Sequence, residues 1–291
     1  MKVLITIPAY NEEDTISSVI EEIKSVMDNS DYNYDLLVLN DGSIDKTAEI
    51  AEKVGAIVIS NKRNLGLAKT FKKEMKECLK LDADIIVHTD ADGQYPAEVI
   101  PKLIKKVEEG NDLVLGSRFS KGVYHGSIIK KLGNIAFAKI FSNLLKIKIT
   151  DTTTGFRAFT DEIAKLPLIN NFTYTQEQLI RVGKEKMKIG EIPIITNKTR
   201  PSRLFKNSFD YALKAWINIF RIYRDFEPLK FFGRIGGIFI LLGFLLGVYI
   251  AGRIWIIGNA GGVPKVILSM LLILVGVQIA LFGFLADMKE K

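Results

Sequence analysis

From the N-terminus onward, short apolar runs alternate with longer stretches in which apolar residues recur every three or four positions. The runs at 2–7 (KVLITI), 36–39 (LLVL), 56–59 (AIVI), 85–87 (IIV) and 112–115 (DLVL) are brief and mostly β-branched or leucine-rich. They predict buried strands. Residues 13–27 place Ile16, Val19, Ile20, Ile23 and Val26 on one helical face, and 45–54, 67–79 and 99–107 are helical by the same reasoning, the last beginning near Pro96. This alternation predicts an α/β domain with a parallel sheet covered by helices on both faces. Ligands of such sheets bind beyond the carboxyl ends of the strands. The polar clusters PAYNE, NDGS and TDADGQ fall there.

The C-terminal pattern differs. Residues 235–252 are 18 positions without a charge, and the apolar character continues past Arg253 to 257. Residues 266–286 are another 21 uncharged positions. A bilayer core takes about 20 apolar residues as helix, so the pair predicts a transmembrane hairpin; the alternative is two buried core helices. Gly243 and Gly247 could drive oligomerisation of such a hairpin, with simple flexibility as the alternative. Arg221, Arg224, Lys230 and Arg234 precede the first span and Lys289 and Lys291 follow the second, against Arg253 and Lys265 on the hairpin side. This imbalance predicts an integral membrane protein with a cytoplasmic N-terminal domain. The apolar stretch at 3–8 meets acidic residues at once and is no signal peptide.

Two basic stretches lie between. Residues 113–150 carry no acid but include Arg118, Lys121, Lys130, Lys131, Lys139, Lys146 and Lys148. Residues 204–231 place Phe205, Phe209, Ala212, Trp216, Ile219, Phe220 and Tyr223 on one helical face beside Lys206, Lys214, Arg221 and Arg224. Basic amphipathic helices next to a span predict an interfacial position on anionic headgroups, with core-facing helices as the alternative. The expected domains are 1–203, 204–231 and 232–288, the last with spans at about 235–257 and 266–286.

Composition narrows the chemistry. At 48% hydrophobic and 25% charged residues, with net charge +7, the chain is not disordered. One cysteine, Cys78, excludes an internal disulfide and a four-cysteine zinc site; two histidines, His88 and His125, argue against a histidine-rich metal centre. Neither GxGxxG after the first strand nor GxxxxGK[ST] occurs, so nicotinamide-type and P-loop readings lose their signatures. The basic charge comes without a nucleic-acid recognition motif, and no nucleic-acid partner is expected.

In TDADGQ, Asp90 and Asp92 follow an apolar strand, with Gln94 two positions further. Two carboxylates and an amide oxygen at this spacing suit a hard cation such as Mg²⁺ or Mn²⁺. The alternative is a turn whose aspartates cap the next helix. Asp41 ends another strand, where a carboxylate can accept hydrogen bonds from a nucleobase or form an Asx turn. PAYNEE offers a rigid turn at Pro8, a stacking ring at Tyr10 and an acceptor at Glu12, with Asn11 as a helix cap in the alternative reading.

The ordered segments VLITIPAYNEEDTI, LLVLNDGSIDKT, NLGLAKT, DADGQYPAEVIPKLI, LGSRF, DTTTGFRAF and EIPI resemble the inverting family 2 glycosyltransferases, most of all the polyprenyl-phosphate enzymes of the dolichol-phosphate mannose synthase type. The resemblance spans about 3–230 and implies a GT-A (Rossmann-like) domain using a nucleotide-diphosphate sugar, GDP- or UDP-linked, with a divalent metal. It places Pro8, Tyr10, Glu12, Leu39 and Asp41 at the nucleoside, Asp90, Asp92 and Gln94 at the metal with Ala91 contributing backbone, and Arg118 and Arg200 at the phosphates. Asp92, Arg118 and Arg200 are the implied catalytic residues, and Glu177 an acidic contact to donor or acceptor. The family's lipid-phosphate Arg and Ser are replaced in SIIKKLGN by Lys130 or Lys131 and Asn134, joined by Arg200 and Arg203. Lysine pairs with phosphate as a point charge, without a bidentate fork. The implied reaction is inverting hexose transfer, mannose or glucose, to a polyprenyl phosphate at the bilayer. The alternatives are another acceptor, or a non-catalytic scaffold. Homo-oligomerisation is a further possibility.

Overall fold

The computed structural model of the chain describes residues 1–120, 128–168, 174–197, 217, 220–221, 223–260 and 262–289, with side chains at all of these except 128–132, 144 and 289. It divides into two compact units, Met1–Leu213 and Lys214–Lys291.

The first unit is built on a sheet of strands β1 (Val3–Ala9), β2 (Tyr34–Asn40), β3 (Ile57–Ser60), β4 (Ile85–His88), β5 (Leu113–Ser117), β6 (Arg157–Thr160) and β7 (Ile189–Pro193). Their spatial order is β3-β2-β1-β4-β6-β5-β7. β1 is central and wholly buried, because its alternate residues feed two separate cores. Val3, Ile5 and Ile7 meet α1 (Ile16–Met27) and α4 (Ile100–Glu108) on one face. Leu4 faces the other core, with α3 (Leu67–Lys80), α6 (Asp161–Lys165) and α7 (Tyr174–Lys184). The buried side chains of α1, namely Ile16, Val19, Ile20, Ile23 and Met27, follow the helical spacing of the sequence. The shorter α2 (Thr47–Lys53) and the long α5 (Ile128–Leu145) complete this unit's described helices.

The five strands expected from the sequence, β1 to β5, run parallel to one another, but the sheet as a whole is mixed, because a strand not among those expected is inserted between β4 and β5. β6 runs antiparallel to both of its neighbours, with His88 opposite Arg157 on one side and Leu115 opposite Arg157 on the other. The physical consequence is positional. A parallel strand would bring its exit to the carboxyl ends of β4 and β5, whereas β6 brings its entrance, residues 151–156.

The second unit contains α8 (Pro228–Ile257) and α9 (Val263–Lys289), with mean hydropathies of 2.3 and 2.6 over their most apolar windows. Both are long and apolar enough to cross a bilayer. Only 17% of each window is buried, so these are not the core helices of the alternative reading. α8 ends on Gly258 at φ 71°, a left-handed cap that releases the chain into the hairpin turn. The helices meet through small residues: Gly236 lies against the backbone of Gly276, and Ser269 Oγ donates to the Gly243 carbonyl at 2.8 Å. Gly243 and Gly247 both lie on this intrachain face, next to Ser269.

Candidate active site

Each polar cluster sits where a strand ends. Asp41 follows β2, and its backbone N–H donates to the Ala9 carbonyl at 2.8 Å, setting it beside Tyr10, whose side chain is exposed. The PAYNEE turn is clasped to the NDGS turn. Asn11 N–H donates to Ser43 Oγ at 2.9 Å, Ile44 N–H to Asn11 Oδ1 at 3.0 Å, and Glu12 N–H to Thr47 Oγ1 at 2.8 Å. Asn11 adopts φ 54° and does not cap a helix; α1 begins five residues later, at Ile16, after Thr15. Thr15 Oγ1 bridges to the third cluster, donating to the Ala91 carbonyl at 2.8 Å while lying 3.2 Å from Glu12 Oε2. Pro8 and Leu39 have their side chains fully inside the domain.

Asp90 comes two residues after β4. Its carboxylate rests on Gly155: a Cβ there would lie 3.1 Å from Oδ1 and 3.3 Å from Oδ2. No hydrogen bond among the described residues reaches either oxygen. Burial pushes the Asp90 carboxyl up to about 6, aided by the charges of Asp92 and Glu74 and opposed by His88 and Arg118. Asp92 Oδ1 accepts the Gln94 N–H at 3.0 Å, an Asx turn closed by Gly93 at φ 70°. These aspartates do not cap the following helix, for the Ala97 N–H goes instead to Glu22 Oε1 at 3.3 Å. A carboxylate lacking a donor, beside a second one and an amide, fits a hard divalent cation. Among the described residues no three Asp, Glu, His or Cys side chains gather into a complete metal cage. A cation here would therefore share its shell with oxygens from substrate or water.

Arg118 follows β5 and forks onto Asp151, with Nε to Oδ2 at 2.7 Å and Nη2 to Oδ1 at 2.9 Å. Nη2 also donates to Thr153 Oγ1 at 2.8 Å, and that hydroxyl lies 3.5 Å from Asn134 Oδ1 on α5. Asp151 further accepts the N–H groups of Thr153 and Thr154, both at 3.1 Å. Burial alone would raise the Asp151 carboxyl; the Arg118 guanidinium and these hydrogen bonds outweigh it and hold the carboxyl below its usual range. Gly155 N–H donates to Tyr95 Oη at 3.1 Å, and the Tyr95 ring stacks on Phe156. Residues 151–155 thus touch Asp90, Arg118 and Asn134 together.

Other candidates lie elsewhere. Glu177 is buried on α7 and pairs with Arg181 at 3.2 Å. His88 is fully buried, its Nδ1 2.6 Å from Glu74 Oε1, which also accepts from Thr6 Oγ1. Lys130 and Lys131 belong to α5, but their side chains fall outside the described residues, as do Arg200, Arg203 and most of 204–231. Sequence reasoning assigned no role to Asp151, Gly155 or Thr15, although DTTTG stood out as a motif.

Residues 4–166, more than half the chain, match the model of glycosyl transferase family 2. The chain belongs to that family. A dolichyl-phosphate hexose transferase of Haloferax volcanii is 36% identical over 64% of this chain and 78% of that protein. A dolichol-phosphate mannosyltransferase of Pyrococcus furiosus is 30% identical over 91% of this chain and 74% of that protein. A UDP-N-acetylglucosamine–dolichyl-phosphate N-acetylglucosaminyltransferase of Methanococcus voltae is 30% identical over 69% and 87%, respectively. Among solved structures, glucosyl-3-phosphoglycerate synthase of Mycobacterium tuberculosis, in complex with Mn²⁺, UDP and phosphoglyceric acid, superposes with a TM-score of 0.60. At 22% identity over 76% of this chain and 77% of that one, it shares the fold, a mixed α/β sheet of GT-A type.

Proposed function

We propose that this glycosyltransferase moves a hexose, mannose or glucose, from a nucleotide-diphosphate sugar to a polyprenyl phosphate of dolichyl type, inverting the anomeric configuration. The catalytic domain, 1–203, works at the cytoplasmic face; 204–231 lie on the headgroups and 232–288 anchor the enzyme. The observation that carries this reading is the convergence of the 151–155 loop on Asp90, Arg118 and Asn134. One loop thus joins a cation-type carboxylate, an arginine for phosphate and the polar helix residue of the acceptor motif. The dolichyl-phosphate names of the relatives support the acceptor class.

Asp90, Asp92 and Gln94 would hold Mg²⁺ or Mn²⁺, whose charge would neutralise the diphosphate leaving group. Tyr10 stacks on the base, and Asp41 accepts from its edge. A phosphate monoester has a second pKa near 6, so it is mostly ionised at neutral pH and attacks without a strong general base. This accords with His88 being held in the core by Glu74. Arg118, Lys130, Arg200 and Arg203 offset the repulsion of two anions brought together.

The test is a product assay with purified protein in nanodiscs, a short polyprenyl phosphate, Mn²⁺ or Mg²⁺, and GDP-mannose, UDP-glucose or UDP-GlcNAc in turn. The expected result is a metal-dependent lipid-phosphate-hexose by mass spectrometry. Nucleotide release without a modified lipid would overturn the acceptor assignment, and no turnover of any donor would point to a non-catalytic scaffold.

A further inference from the structure

The hydrogen bonds already made by Asp41 discriminate between the two bases that its position would admit. A carboxylate offers about four acceptor sites, two per oxygen. Asp41 Oδ1 accepts from Asn61 Nδ2 at 2.8 Å and from the Leu65 N–H at 2.9 Å, which fills it. Oδ2 accepts the Gly66 N–H at 2.9 Å. Among the described residues the Asp41 carboxylate accepts no other hydrogen bond, so one acceptor site is left, on Oδ2.

The donors are held independently of Asp41. Asn61 N–H donates to the Asn40 carbonyl at 2.8 Å, extending the β2–β3 pairing by one rung. The Asn61 amide is oriented from its other end, where Lys73 Nζ donates to Oδ1 at 2.8 Å. The Arg63–Asn64 backbone sits directly over Gly42, where a Cβ would lie 2.4 Å from the Arg63 carbonyl carbon. Gly42, at φ 72°, is what lets this segment approach.

Guanine is read by a carboxylate through two neighbouring donors, N1–H and N2–H, which require an open site on each oxygen. Uracil presents a single donor on that edge, N3–H. We infer that Asp41, with one open acceptor site, selects a uridine over a guanosine diphospho-sugar, and that Asn61 is the residue setting this preference by filling Oδ1. The inference rests on the nucleotide-sugar reading above and names its donor class: a UDP-hexose. Guanine bound in the same place would leave one donor buried and unpaired, which costs it about tenfold or more in affinity.

The experiment is calorimetric titration of the purified full chain, in detergent with Mg²⁺, with UDP and with GDP. UDP is expected to bind about tenfold or more tightly. In Asn61→Ala, which opens a site on Oδ1, the UDP-to-GDP ratio should shrink severalfold. General loosening of the loop would weaken both nucleotides equally and leave the ratio in place, so an unchanged ratio in a folded Asn61→Ala overturns the role of Asn61. Tighter binding of GDP by the wild-type chain overturns the selectivity while leaving the glycosyltransferase reading intact. Binding of neither nucleotide removes that reading and this inference with it. The wild-type comparison decides the selectivity even where the variant does not fold.

Discussion

The Asp90 carboxylate lies against Gly155 with little room to spare: a Cβ on residue 155 would stand 3.1 Å from Oδ1, tight enough that one of the two must give by a few tenths of an ångström. Either the loop or the carboxylate would have to move. Because β6 is antiparallel, this loop enters the sheet next to β4, and its position is fixed further by Asp151 and Tyr95. Gly155→Ala should therefore displace Asp90 rather than the loop. The expected effect is a rise of about 10- to 100-fold in the Mn²⁺ concentration giving half-maximal activity, the range seen when the surroundings of a metal ligand are disturbed. A Mn²⁺ titration of turnover checks it.

Asp92→Asn keeps the Asx turn, since the amide oxygen can still accept the Gln94 N–H, but removes the charge. Turnover should fall by more than about 100-fold, beyond the cost of an outer-shell change, with circular dichroism and membrane extraction unchanged. Wild-type activity in this variant would end the assignment of Asp92 to a cation.

Much of this site was legible in the sequence. The strand ends carry the expected clusters, and TDADGQ gave its two carboxylates directly. What escaped is contact across distance. Arg118 and Asp151 are 33 residues apart, and no local pattern shows that the arginine's fork turns to a buried aspartate. The direction of β6 was equally hidden, because four buried residues, RAFT, carry no periodicity long enough to read. Leu39 illustrates the converse: its place in the motif is clear, yet its side chain packs with Phe71 and Met75 in the core.

The Arg118–Asp151 pair yields a stability prediction. Asp151 is fully buried and the Arg118 side chain is 14% exposed. Removing one partner of a buried pair leaves an uncompensated charge, typically costing about 3–5 kcal/mol. Asp151→Asn should lower unfolding stability by about that amount in urea. Arg118→Lys should cost less stability, yet lose the fork that holds Thr153.

Asp90 predicts a pH dependence. Its carboxyl is raised to about 6 in the metal-free fold, from an ordinary value near 4, so the folded state binds the proton more tightly than the unfolded chain. The stability this contributes is fully present below about pH 4 and is lost as pH rises through about 6. A divalent cation prefers the ionised carboxylate, so stabilisation by Mn²⁺ should grow from pH 5 to pH 7. Melting curves at pH 5, 6 and 7 with and without Mn²⁺ test both signs, and Asp90→Asn should flatten this part of the profile.

The hairpin supplies a paired test in which the same residue type has opposite expectations. A Cβ on Gly243 would meet Ile273 Cγ1 at 2.7 Å and the Ser269 carbonyl oxygen at 2.9 Å, so the two helices would have to part. A Cβ on Gly237 meets nothing within 4 Å. Helices in lipid gain little from hydrophobic burial against each other and depend on close backbone approach and interhelical hydrogen bonds. Gly243→Val should therefore break the Ser269–Gly243 hydrogen bond and lower the melting temperature of the hairpin in detergent, whereas Gly237→Val should leave it in place. Equal effects from the two variants would mean that helix propensity, and not the packed interface, governs the hairpin, because valine alters propensity at both positions alike.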